Sequence, residues 1–248
     1  MSDSNTFSDM LAYMPTNLPT SDVCPNVIGQ TMMARAVDLL NNGVLDMGAF
    51  YGSPGIMNSK YSWYSPELFS QITDAVQKFA LEHGLRVLII WGLDSVRGAN
   101  FVKGAVIFPT GIATAATFNP QHAYNASRIA AKDTRAAGVH WAFAPVCDLI
   151  FNKTSPRLYE SFGGDPFLFS HMTAASVNRY QGDYKCDRLR VAACAKHFVG
   201  GLNVDKNELS SCKISKTELF EYSILLFKAA INVGVVTMMA DFGSINEE

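Results

Sequence analysis

The sequence contains no apolar run close to the roughly 20 residues that a membrane-crossing helix requires, so no membrane span is read from it. It also lacks a basic excess. Its 20 Lys and Arg face 22 Asp and Glu for a formal net charge of −2, and the cations are scattered, which argues against a nucleic-acid partner and for a neutral or small one. Cysteine is sparse and unpaired in pattern: Cys24, Cys147, Cys186, Cys194 and Cys212 are odd in number and show no C-x-x-C spacing. Neither a zinc site nor a complete disulfide framework is therefore indicated. His83, His122, His140, His171 and His197 lack the H-x-x-x-H or H-E-x-x-H spacing of a metal site, and His83 and His171 read as helix-surface residues. No glycine-rich nucleotide fingerprint is present either. No metal and no cofactor are expected.

The first residues, Met1 to Asn26, are polar and proline-dotted rather than basic and then apolar, so no signal peptide is read there. Two triplets, Asn125-Ala126-Ser127 and Asn152-Lys153-Thr154, would accept glycans only in an exported chain. With 48% apolar and 17% charged residues over 248 positions, the chain is long and apolar enough to bury a sizeable core, and disordered and fibrous classes are excluded.

Apolar runs and helical segments alternate along it. Residues 1–23 read as a loosely ordered tail, and 24–248 as one domain. Val27 to Leu40 has helical spacing and stops at Asn41-Asn42-Gly43; Val44 to Tyr51 reads as a first strand. Tyr61, Trp63 and Tyr64 form an aromatic cluster, read as packing onto the domain with ligand stacking as the alternative. Ser65-Pro66-Glu67, Asn119-Pro120, Asp165-Pro166 and Ser215-Lys216-Thr217-Glu218 each open a helix with a capping residue. The matching stops are Gly84, Gly138, Gly182 and Gly234. Between them lie apolar runs at Arg86 to Trp91, Val139 to Val146, Val191 to Phe198 and Val235 to Ala240. Strand and helix in alternation predict a parallel α/β sheet.

These runs end in charge. Asp94 follows the second, Cys147-Asp148 the third, Lys196-His197 closes the fourth and Asp241 the fifth. Parallel folds gather their sites at the C-terminal strand ends, so these positions predict one shared pocket. Two long loops follow those ends, Arg97 to Thr117 and Asp148 to Gly164, the second holding Arg157, Tyr159 and Glu160. Long loops of this kind favour a TIM-type (β/α)8 barrel over an open sheet. About five of its eight strands are counted before Glu248, so the barrel is expected to be incomplete and its unpaired edges to promote self-association. Asp94, Arg157, Lys196 and His197 together offer a carboxylate, a fork of donors, a point cation and an imidazole. That mixture suits the hydroxyls of a sugar, which both donate and accept. A strand-end lysine could instead form a Schiff base.

Four stretches in order carry a resemblance: Gly92-Leu93-Asp94-Ser95-Val96-Arg97-Gly98-Ala99-Asn100, Ala116-Thr117-Phe118-Asn119-Pro120, Arg157-Leu158-Tyr159-Glu160-Ser161-Phe162-Gly163-Gly164-Asp165-Pro166 and Cys194-Ala195-Lys196-His197-Phe198-Val199-Gly200. With them, the chain from Ile28 to Asn246 resembles the N-terminal barrel domain of glycoside hydrolase family 3, of the β-glucosidase type. The resemblance implies hydrolysis of terminal non-reducing β-D-glucosyl residues by a retaining mechanism, with a β-glucoside or oligosaccharide as substrate. It implies that Asp94, Arg157, Lys196 and His197 bind the sugar ring where the bond is cleaved. The family's nucleophile lies in a later strand and its acid/base residue usually in a second domain, so no catalytic residue is assigned here; Asp241 precedes the family's tyrosine position and is not taken as the nucleophile. Phe242 stands at that tyrosine position, Thr154-Ser155-Pro156 replaces an Arg-Trp-Gly triplet, and Leu202-Asn203 follows the glycine pair. These departures leave a non-catalytic remnant or carbohydrate-binding chain as the alternative. With no histidine after His197, the hexosaminidase branch is not expected. Relatives are commonly secreted, periplasmic or vacuolar/lysosomal, which leaves the compartment open.

Overall fold

A computed structural model describes residues 49–51, 64–83, 88–151, 153–200 and 211–247. The expected tail at 1–23, the helix at 27–40, the first residues of the 44–51 strand, Tyr61, Trp63, the helix stop Gly84, Asn152 and Leu202-Asn203 lie outside the described residues. The fold is α/β with parallel strands, in two compact units.

The first unit holds β1 (Ala49–Tyr51), α1 (Pro66–His83), β2 (Ile90–Leu93) and the segments Phe101–Ala105 and Asp133–Trp141. Ser65 opens α1 as its cap signal predicts, its Oγ accepting the Leu68 N–H at 3.3 Å with Pro66 in the first turn. Phe69, Thr73, Val76 and Ala80, three to four residues apart, form its buried stripe. Gln77 Oε1 accepts the Ile89 N–H at 2.7 Å and ties the helix to the start of the next strand. β2 pairs in parallel with β1, Phe50 opposite Trp91. It runs through Gly92 and Leu93, two residues beyond the expected run; Arg86 and Val87 lie outside the described residues, and Leu88 and Ile89 precede the strand.

The second unit comprises Asp94–Asn100, Val106–Lys132 and the chain from Ala142 onward. It contains α2 (Gly111–Ala115), most of α3 (Pro120–Ala136), the end of β3 (Trp141–Ala142), α4 (Pro166–Gln181) and β4 (Ala192–Phe198). There follow α5 (Lys216–Glu218), α6 (Ile224–Asn232) and β5 (Thr237–Ala240). α2 corrects the expectation of one long loop from Arg97 to Thr117. Thr110 caps it through an N–H of Ala113, and Gly111 approaches the carbonyl of Ser161 so closely that a Cβ there would lie 2.4 Å from it. The capping signals at Asn119, Asp165 and Ser215 all hold: Asn119 Oδ1 accepts from Gln121, Asp165 Oδ1 from Leu168, and Ser215 and Glu218 form a capping box.

Two expected elements are shortened. The Val139 to Val146 run is strand only at Trp141–Ala142, because Pro145 has no N–H to give a ladder. Its carbonyls still serve β4, with Cys194 N–H donating to Ala144 at 2.9 Å and Lys196 N–H to Pro145 at 3.1 Å. The expected single helix after Ser215 is interrupted by a π turn at Leu219–Ser223. β4 and β5 pair in parallel, Cys194 opposite Thr237. Around them Ala142, Ala144, Ala193 and Ala195 pack with Phe169, Val177, Tyr180, Leu226 and Phe227 in the unit's main core. Parallel strands separated by helices are the layout of the expected TIM-type barrel, incomplete among the described residues. No helix among the described residues is long and apolar enough to cross a membrane.

Candidate functional site

The C-terminal end of β4 carries Lys196 and His197, the two residues that the sequence brings forward. In a regular strand Lys196 and His197 would point to opposite faces. Both are nevertheless buried, at 3% and 6% exposure, and the β4–β5 register slips between Lys196 and Phe198, so His197 is the extra residue of a bulge. Such a slip re-aims a side chain at a strand end. The peptides Lys196–His197 and Phe198–Val199 are cis.

Each of the two finds a carboxylate. Lys196 Nζ forms an ion pair with Asp94 Oδ1, whose side chain keeps 22% of its surface exposed. His197 Nδ1 lies 2.8 Å from Asp148 Oδ2, and the His197 main-chain N–H donates to both oxygens of that carboxylate at 3.1 and 3.2 Å. Arg157 Nη1 is 3.5 Å from His197 Nε2. The guanidinium is gripped by Glu160 in a two-pronged bond, Nε to Oε1 at 3.0 Å and Nη2 to Oε2 at 2.7 Å. This grip is local in sequence, since Arg157 leads directly into a short 3-10 turn at Leu158–Glu160. Tyr159, on the same turn, packs under the Arg97 guanidinium, 5.9 Å from its ring centre. Burial and the neighbouring Glu160 push the Tyr159 hydroxyl pKa up.

All four residues expected to bind a ligand, Asp94, Arg157, Lys196 and His197, thus fall in one unit, as an Asp94–Lys196 ion pair and an Asp148–His197–Arg157–Glu160 chain of polar contacts. Two carboxylates that complete them were not among the expected binders. Asp148 is 3% exposed, and its strand-end position was the available signal. Glu160 was signalled by its place three residues after Arg157. Asp241, at the end of β5, is half-buried and is held by its N–H to the Phe198 carbonyl and by the Gly243 N–H on Oδ2 at 3.2 Å. Its carboxyl pKa is raised, first by burial; the Asp148 carboxylate pushes the same way, while His197 and the main-chain N–H groups of Gly243 and Phe242 pull it down. Phe242 itself is 77% exposed. Cys147 and Cys194 are buried thiols whose pKa burial raises. His171 is exposed on α4, as expected. Among the described residues no group of three or more His, Cys, Asp or Glu is placed to hold a metal ion.

Chemically, the cluster offers an ammonium, a guanidinium, an imidazole and several carboxylate oxygens, in two groups that meet at the adjacent residues Lys196 and His197. Lys196 is engaged as an ammonium by Asp94, whereas a Schiff base requires the free amine.

The chain matches the sequence profile described as the glycosyl hydrolase family 3 N terminal domain over residues 45–248. It is 32% identical over 210 residues to a lysosomal beta glucosidase of Dictyostelium discoideum, covering 81% of this chain and 26% of that one. A periplasmic beta-glucosidase of Salmonella typhimurium is 26% identical over 163 residues, covering 65% of this chain and 21% of its own length. The chain therefore spans about a quarter of the length of these relatives. Among solved structures, an exo-1,3/1,4-beta-glucanase of a Pseudoalteromonas species superposes with a TM-score of 0.73 at 23% identity, over 94% of this chain and 32% of that one. A beta-glucosidase of Listeria innocua in complex with glucose gives 0.70 at 20% identity, over 99% and 34%. These likenesses agree on the fold, and the profile match over most of the sequence places this chain in glycoside hydrolase family 3, as an N-terminal domain sequence of that family.

Proposed function

We propose that this chain is the sugar-holding part of a β-glucosidase-like hydrolase that removes terminal non-reducing β-D-glucosyl residues with retention of configuration. The observation that carries the reading is the convergence of Asp94, Arg157, Lys196 and His197, each buried or half-buried and each oriented by an ion pair or hydrogen bond. Groups fixed in advance lose little conformational entropy when a ligand arrives. A sugar hydroxyl that gains a bond to a charged partner contributes about 1.5 to 3 kcal/mol. The names of the relatives, beta-glucosidases in several organisms, point to the same substrate class.

In the retaining reaction one carboxylate attacks the anomeric carbon while a second carboxyl group protonates the departing oxygen. The second group then deprotonates the water that releases the sugar, the pair standing about 5 Å apart. Neither is assigned to a residue of this chain, and Asp241 is not proposed as the nucleophile. The division of the chain into a tail at 1–23 and a partial barrel at 24–248 belongs to the same proposal. So does self-association along β5, where Met238 is exposed. A second reading, sugar binding without turnover, is favoured by Phe242, which has no hydroxyl where the family carries a tyrosine.

Calorimetric titration of the 248-residue chain with D-glucose tests the first reading, and Asp94→Asn is expected to weaken binding at least tenfold. Absence of glucose binding, or an unaffected Asp94→Asn variant, would overturn it.

A further inference from the structure

Asp148 makes three hydrogen bonds to one neighbour. Both of its oxygens accept the His197 main-chain N–H, and Oδ2 also meets the ring at Nδ1, 2.8 Å away. Its own main chain is pinned from behind, since the buried Ser161 hydroxyl donates to the Asp148 carbonyl at 2.8 Å. A ring nitrogen that faces a carboxylate at this distance carries the proton. On the far side of the ring Nε2 faces Arg157 Nη1 at 3.5 Å. A guanidinium has only donors, so a protonated Nε2 would set N–H against N–H. Glu160 fixes the guanidinium in that pose through its fork.

We propose that Asp148 is a positioning residue that holds His197 as its Nδ1–H tautomer and turns a bare Nε2 toward Arg157. On the sugar-holding reading above, on which this last step rests, that one lone pair exchanges its long contact with Arg157 for a hydrogen bond from a ring hydroxyl. An imidazole in water favours the opposite tautomer, so the arrangement requires the carboxylate. Asp241, directly after β5, is a further titratable group that both Asp148 and His197 influence, and its own N–H donates to the Phe198 carbonyl.

Long-range proton–nitrogen correlation spectra of the 248-residue chain labelled with nitrogen-15 histidine, at pH 7.5, read the tautomer directly. The His197 signals are identified by their loss in His197→Gln. The expected pattern is a protonated Nδ1 and an unprotonated Nε2; the reverse pattern, a doubly protonated ring or an averaged spectrum would overturn the proposal. In Asp148→Asn one carboxylate oxygen becomes an NH2 that opposes either the main-chain N–H or the ring N–H. The two nitrogen shifts should then converge, and unchanged shifts would also overturn the role. If that variant fails to fold by circular dichroism, the spectrum of the unsubstituted chain decides alone. D-glucose titration then separates the two layers: the Asp148→Asn dissociation constant is expected to rise on the order of tenfold. A chain that shows the Nδ1–H pattern yet binds no glucose would defeat the sugar reading and leave the positioning role standing.

Discussion

The Lys196–Asp94 pair predicts an asymmetry in stability. Lys196 is 3% exposed while the Asp94 side chain keeps 22% of its surface, so the two charges are not equally able to return to water if the partner is removed. Asp94→Ala strands an ammonium in a nearly closed setting; losses of one partner from a buried pair run about 3 to 5 kcal/mol, and the partial opening at Asp94 puts the expected cost near ~3 kcal/mol. Lys196→Met keeps the apolar stem and leaves a carboxylate that water reaches, for about 1 to 2 kcal/mol. The double variant removes both charges and should be more stable than the sum of the single losses by about 2 kcal/mol. Urea unfolding followed by tryptophan fluorescence gives all four stabilities, provided the slopes agree. If Lys196→Met costs as much as Asp94→Ala, or if the two losses simply add, the burial argument is wrong.

Asp241 should give the chain a pH signature. Its pKa in the folded chain is raised above the ordinary 3.8, mainly by burial, so the folded state holds the proton more tightly than the unfolded chain. Stability from this group is therefore present below pH about 4 and is lost as pH rises through the folded value. Asp241→Asn should unfold at higher temperature than the parent at about pH 7 and show little advantage at about pH 3.5; a parent advantage at neutral pH would contradict this. Gly98 and Gly163 have similar positive φ, +108° and +110°, but a Cβ on Gly98 would sit 2.1 Å from the Val106 carbonyl oxygen, whereas nothing lies within 4 Å of one on Gly163. Both alanine variants should lose about 1 to 3 kcal/mol to backbone strain, with a larger loss for Gly98→Ala; equal losses by urea unfolding would show that the Val106 contact yields freely.

The helix starts were legible in the sequence because capping is a local act. Ser65, Asn119, Asp165 and Ser215 each bond an N–H two or three residues on, and nothing distant alters that. Strand extents were less legible. The run from Val139 to Val146 is apolar throughout, yet its ladder is cut by one missing N–H at Pro145. The helix at Gly111–Ala115 was hidden because its glycine answers to the distant Ser161 carbonyl rather than to helix propensity. Within the site, the strand-end rule singled out Lys196 and His197 but would place their side chains on opposite faces. What brings both into the interior is the register slip against β5, a property of pairing between strands about 40 residues apart.

The same network bears on what kind of ligand the site suits. Asp94, Asp148 and Glu160 already engage Lys196, His197 and Arg157, and with His197 in its Nδ1–H form the carboxylates outnumber the full cations. An anionic ligand would have to take a cation from one of these carboxylates and leave a half-buried or buried charge unpaired, a change that costs several kcal/mol. A neutral polyhydroxyl asks for no such exchange. An ammonium has three N–H groups and a carboxylate about four lone-pair directions, so each can take a hydroxyl while the ion pair persists. Pre-paired charges in this arrangement thus discriminate by charge before shape enters. That favours a neutral sugar ring over a phosphate or a carboxylate-bearing ligand as the occupant of the proposed site.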